Sequence, residues 1–120
     1  MSFKKQLVRR WLQQENLCIW CGEWTWYSDF LSTELVLKRL LTSKGAPFSR
    51  YVKRMRRATR EHIIPKSMGG NDGYKNIVCA CASCNSKRGN DVNHSAPNPY
   101  VLTLLDQSAM DKVRHFSKSE

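Results

Sequence analysis

Apolar residues recur at helical spacing in three stretches of the chain and give way to a strand-like pattern between the second and third. From Phe3 to Gln14, the apolar Phe3, Leu7, Val8, Trp11 and Leu12 fall three and four residues apart, predicting an amphipathic helix with a Ser2 cap and a basic outer face. A second helical pattern opens at Ser28 or Asp29, carries Phe30, Leu31, Leu35, Val36, Leu37, Leu40 and Leu41, and stops at Ser43-Lys44-Gly45-Ala46-Pro47. From Ser49 to Arg60 periodicity does not choose between a short helix and an extended arm. Ala58 to Ile64 has strand character at its end, His62-Ile63-Ile64, and Pro65 stops it. The Gly-rich run between Lys66 and Lys75 then leads to a return strand at Asn76-Ile77-Val78-Cys79, which predicts a hairpin with a long connection. Cys81 to Arg88 reads as a turn and short helix stopped near Gly89-Asn90. Beyond it, Asn98 caps and Pro99 begins a last helix whose Tyr100, Leu102, Leu104, Leu105, Met110 and Val113 pack back on the core, with a frayed tail from His115. The expected organisation is one domain over 1–120: an N-terminal helix (1–17), a core (18–90) holding a helical basic insertion (28–57), and a C-terminal helical extension (91–120).

Length changes this picture first. A chain of 120 residues buries only about two thirds of its unfolded surface, so a staple is expected. Four of the five cysteines supply one, as Cys18-Ile19-Trp20-Cys21 and Cys81-Ala82-Ser83-Cys84, the spacing of a four-thiolate zinc site. The rival reading is a disulfide framework. It is disfavoured because Met-Ser-Phe-Lys-Lys-Gln-Leu-Val-Arg-Arg lacks the apolar run of a secretory signal, which points to a reducing, cytoplasmic setting. Cys79, in an apolar run, is expected to be a buried structural thiol. Trp20, Trp24, Trp26 and Tyr27 crowd the first cysteine pair and read as packing ahead of base stacking. No run approaches a membrane span.

Charge narrows the partner. The net charge is +10, and Lys38, Arg39, Lys44, Arg50, Lys53, Arg54, Arg56, Arg57 and Arg60 fall in a stretch without Asp or Glu, which suits a polyphosphate backbone better than a solvated helix face. That block ends immediately before Glu61-His62.

The order Cys18-x2-Cys21, Glu61-His62-Ile63-Ile64-Pro65, a Gly-rich turn, Asn76, then Cys81-x2-Cys84-Asn85-x-Lys87 resembles the HNH endonuclease family, densely from Arg60 to Arg88 and more loosely from Cys18. The resemblance implies an α+β fold, a small zinc-stapled ββα-metal core with flanking helices, and metal-dependent hydrolysis of DNA leaving 5′-phosphate and 3′-hydroxyl ends. It implies His62 as general base, Glu61 and Asn85 as ligands of a catalytic magnesium or manganese ion (nickel or zinc being alternatives), Asn76 as a brace of the hairpin, and Cys18, Cys21, Cys81 and Cys84 as ligands of structural zinc. Imidazole suits the base because it can take a proton from water at physiological pH, and oxygen ligands suit a hard cation. Glu61 stands where the family more often has Asp, and Asn85 where it has the second His. Arg54, Arg56, Arg57, Arg60, Lys66, Lys87 and Arg88 are the candidate contacts to duplex DNA. Successive strand residues point to opposite faces, so Glu61 and His62 can act together only near a strand end.

Singly, His62, Asn76 and Asn85 could each be a structural histidine, a turn residue or a cap; in this order, beside both cysteine pairs, they read as a site. His94 and His115 fit no metal spacing and read as surface residues. Two competitors stand against an active nuclease: a zinc-stabilised DNA-binding module with a vestigial site acting within a larger complex, and a zinc nucleobase deaminase. The latter needs His-x-Glu and Pro-Cys-x-x-Cys, where this chain has Glu-His and Ala-Cys-x-x-Cys. A homodimer or a protein partner is compatible with the sequence.

Overall fold

A computed structural model describes residues 1–27, 50–89 and 96–117. The helical pattern expected between Ser28 and Leu41 lies outside the described residues, as does His94. Within them the fold is α+β, helices around a two-stranded antiparallel sheet.

The hairpin is the centre. Strand β1 (Ala58–His62) pairs with β2 (Ile77–Cys81) from Ala58↔Cys81 to His62↔Ile77. β1 stops at His62, before the Ile63-Ile64 pair that carries the strand signal. Ile63 N–H still donates to the Asn76 carbonyl (2.8 Å), but Ile64 N–H is taken by the Asn76 side-chain oxygen (2.9 Å), which turns the chain out of the sheet. The connection holds two 3-10 turns, Lys66–Met68 and Tyr74–Asn76. Gly70 lies so close under Ile64 that a Cβ there would collide with its carbonyl, a steric requirement for glycine at this turn.

Helix α1 (Phe3–Gln13) carries the predicted cap, with Lys5 N–H donating to Ser2 Oγ at 3.2 Å. Its faces differ from expectation. Leu7 and Trp11 are buried, but so are Gln6, Arg10 and Gln14, while Phe3 and Leu12 are exposed. The outer edge of β2 explains the buried polar line, since a strand edge presents backbone groups that need partners. Gln14 pairs with Cys79 as a strand would, accepting from its N–H (2.8 Å) and donating to its carbonyl (3.0 Å), and Ile19 N–H also donates to that carbonyl (3.0 Å). Arg10 Nε donates to the Ile77 carbonyl at 2.7 Å.

Strand alternation divides the core. Cys79 and Ala58 pack with Leu7 and Trp11 under α1. Val78 and Ala80 face the larger cluster of Ile19, Trp20, Ile63, Val101, Leu102, Leu105, Ala109 and Val113. Short helices complete the frame: α2 (Arg50–Met55), which makes a helix of the first part of the basic segment while its end, Ala58 to Arg60, lies in β1, and α3 (Ala82–Arg88), capped by Cys81. The single C-terminal helix expected from periodicity is two, α4 (Pro99–Thr103) and α5 (Gln107–His115). Asn98 and Pro99 begin the first as predicted. Asp106 begins the second, its carboxylate accepting from Ala109 N–H (3.1 Å) and from Arg10 Nη1 (2.7 Å), so a long-range ion pair fixes the break. Arg10 holds Asp106 below the ordinary carboxylate range.

Candidate active site and metal centre

The two cysteine pairs meet at the Ala58↔Cys81 end of the hairpin. All four sulfurs lie within 4.8 Å of one another, and Cys21 and Cys81 are 3.9 Å apart. Zinc with metal–sulfur bonds of about 2.3 Å places tetrahedral sulfurs about 3.8 Å apart, so the four cysteines fit that ion. Backbone turns aim them: Trp20 N–H points at Cys18 Sγ and Cys84 N–H at Cys81 Sγ, both at 3.4 Å. Gly22 closes the first turn at φ 73°, and a Cβ there would strike Asn98. The four thiols act on one another: hydrogen bonding from Cys18 pulls the Cys21 thiol down to about 6 and Cys81 lower still, while Cys18 and Cys84 are pushed up. Cys79 stands apart from the four, fully buried, 3.9 Å from Thr25 Oγ1, and burial pushes its thiol up to about 12.

At the opposite end, Glu61 and His62 occupy the last two positions of β1 and face opposite sides. Glu61, paired with Val78, turns into the larger core and is 3% exposed. It accepts from Trp20 Nε1 at 2.9 Å and lies 3.4 Å from Arg88. Burial raises its carboxyl from 4.5 to about 7, against the opposing pull of Trp20 and Arg88. His62 is half-buried on the α1 side, its Nε2 2.7 Å from Asp72 Oδ1. Asp72 also meets Lys66 Nζ (2.9 Å) and Arg60 (3.7 Å); the bond to His62, then Lys66, draws its carboxyl down to about 2.

Asn85 folds back from α3 onto β1, donating from Nδ2 to Thr59 Oγ1 and to the Arg60 carbonyl, both at 3.0 Å. Those two bonds fix the amide plane and leave its oxygen without a partner among the described residues. Thr59 and Glu61 share a strand face, so Asn85 and Glu61 belong to the same side of the hairpin. One carboxylate and one amide oxygen are a donor set suited to magnesium or manganese. Asn76 is buried and joins the two ends of the loop, donating to the carbonyls of Ile64 (3.0 Å) and Asn71 (2.9 Å).

The candidate DNA contacts separate by exposure. Arg54, Arg57, Lys66 and Lys87 are exposed. Arg56 is buried and donates to the Trp24 carbonyl at 2.6 Å. Arg60 lies over the Phe3 ring at 3.7 Å and donates to Gln6 at 3.1 Å. Arg88, expected at phosphate, is instead 1% exposed: it donates to the carbonyls of His62 (2.8 Å), Ile63 and Phe116 (both 2.9 Å). Its guanidinium satisfies the last carbonyl of β1, the next one along the chain and one beyond α5, so Arg88 ties the end of the hairpin to the chain beyond α5. The periodic reading overlooked Asp72 and Gln6 as well. Asp72 sits in an Asn-Asp-Gly run whose ordinary reading is a turn, and Gln6 in a helix face that looks solvated.

Residues 52–100 match the HNH endonuclease family. The HNH segment begins in α2 and ends in α4, and holds Glu61, His62, Asn76, Asn85 and the second cysteine pair. The first cysteine pair and α1 lie upstream of it, so the metal centre and the edge of β2 both bind the HNH segment to residues outside the match. Comparison with curated proteins and with solved structures gave no match. No helix among the described residues is long and apolar enough to cross a membrane.

Proposed function

We propose that this chain is a metal-dependent HNH endonuclease that hydrolyses phosphodiester bonds of duplex DNA, with His62 as general base and Glu61 and Asn85 as ligands of the catalytic ion. The observation that carries this reading is the return of α3 onto β1, which places Asn85 on the Glu61 face while His62 takes the adjacent position at the strand end. His62 takes a proton from water, the water oxygen forms the new bond to phosphorus, and the 3′ oxygen departs and acquires a proton from solvent. Bound magnesium or manganese supplies charge compensation at the phosphate and the leaving oxygen. Asn76 holds the loop, the four cysteines hold structural zinc, and the exposed Arg54, Arg57 and Lys87 supply positive charge for the backbone.

The second reading, a zinc-stabilised DNA-binding module, is favoured by one feature: Glu61 is already engaged by Trp20 and Arg88. Plasmid cleavage by wild type and His62→Ala, with EDTA and with magnesium or manganese, separates the two. The nuclease reading expects metal-dependent nicking or linearisation that His62→Ala abolishes, with fold and DNA affinity retained. Tight binding without cleavage in any ion favours the module.

A further inference from the structure

We propose that Asp72 is the positioning residue for His62: it fixes the imidazole as the Nε2–H tautomer and so makes Nδ1 the atom that accepts the proton from water. This rests on His62 being the base. A carboxylate with its proton removed accepts hydrogen bonds only. Asp72, drawn to about 2, is ionised at neutral pH, so at 2.7 Å from Nε2 the imidazole must be the donor. In a neutral ring that leaves the lone pair on Nδ1, which has no partner among the described residues and belongs to a side chain still 22% exposed. When Nδ1 takes the proton, the ring becomes a cation beside the Asp72 carboxylate, and the ion pair stabilises the charge formed in the step.

Asp72 is itself held by α1, outside the HNH segment, and by Arg60 within it. Its backbone carbonyl accepts from Gln6 Nε2 of α1 at 2.9 Å and from Arg60 Nη2 at 3.3 Å, and Arg60 Nε in turn donates to Gln6 Oε1 at 3.1 Å. On the other side, Asn71 is fixed by Asn76 and by Gly73 N–H (2.8 Å). The carboxylate therefore has a defined origin although the loop is surface-exposed, and α1 acts on the base through Gln6.

The test compares Asp72→Asn, Asp72→Glu and His62→Ala for plasmid nicking with manganese, alongside long-range 15N–1H spectra of the His62 ring. Asparagine can offer N–H to Nε2 and so permits the other tautomer. The expected result is a kcat about 10- to 100-fold lower in Asp72→Asn with KM and melting temperature little changed, partial recovery in Asp72→Glu, and a ring that moves from Nε2–H towards Nδ1–H. Asp72→Asn with kcat within about twofold of wild type and an unchanged tautomer, beside an inactive His62→Ala, overturns the inference and leaves His62 as base. An active His62→Ala removes the base, and the role of Asp72 with it. The spectra need no cleavage: a wild-type ring carrying its proton on Nδ1 also overturns the inference.

Discussion

The two ends of the β1–β2 hairpin are held by different physics. At the Ala58↔Cys81 end, four sulfurs converge from two short turns, and one ion can satisfy all of them. At the His62↔Ile77 end no comparable cluster of thiolates gathers among the described residues. Glu61 is held by Trp20 and Arg88, His62 by Asp72, and the loop between them by Asn76, so geometry depends on separate, modest polar contacts drawn from the first cysteine turn, α1, α3 and the chain beyond α5. In a small domain, stability and polar chemistry can be divided between opposite ends of one hairpin. The metal end can carry much of the folding energy, which allows the other end to keep a desolvated carboxylate and a half-exposed imidazole that a purely stabilising design would replace.

The contrast is broken most severely at the metal end. Cys84→Ser should leave the chain unfolded by circular dichroism and unable to retain zinc, because structural zinc contributes about 10 kcal/mol or more to folding; a folded, zinc-free variant would remove the four-thiolate assignment. At the His62↔Ile77 end the largest single effect belongs to Arg88. Arg88→Met keeps an apolar stem but strands Glu61 and three carbonyls, and should cost about 3–5 kcal/mol in urea unfolding. Adding Glu61→Gln should recover part of that loss. If the double variant is no more stable than the single one, the Glu61–Arg88 contact at 3.4 Å is not the reason for the cost.

A smaller effect sharpens the role of α1. The pair of Arg10 with Asp106 has one buried and one half-exposed partner, so Asp106→Asn should cost less than about 1 kcal/mol after solvent screening. Its pH dependence has a definite sign. The folded-state carboxyl lies below 3.8, so the pair's contribution is complete above that value and is lost as pH falls through the lowered one. Wild type and Asp106→Asn should differ in melting temperature at neutral pH and converge in strong acid; a constant gap would assign the effect to the cap on Ala109 alone.

Legibility followed the same division. Both cysteine pairs, the caps at Ser2 and Asn98, the turn chemistry of the loop and the return strand were readable because each rests on neighbours a few residues apart, whereas the strand signal at Ile63-Ile64 falls just past the end of β1. Asn76 was readable as a brace through the family resemblance, and its three bonds across the loop agree. The basic outer face of α1 was misread at Arg10 because periodicity counts hydrophobicity and has no account of an unpaired strand edge. Arg88 was misread for the same reason: a charged residue in a short helix looks solvated until the carbonyls it must satisfy are in place.

The amino-acid order alone set the four-cysteine cluster, the hairpin and the sequence of the candidate site residues, since ligand spacing, capping and strand periodicity act over short stretches of chain. Only the tertiary structure decided which polar groups face one another. Asp72 lies ten residues from His62, Gln6 sixty-six from Asp72, and Arg88 twenty-five from the Ile63 carbonyl. Those pairings exist because buried or half-buried polar groups must find partners once water is excluded, and which partner is within reach is a property of the packed chain.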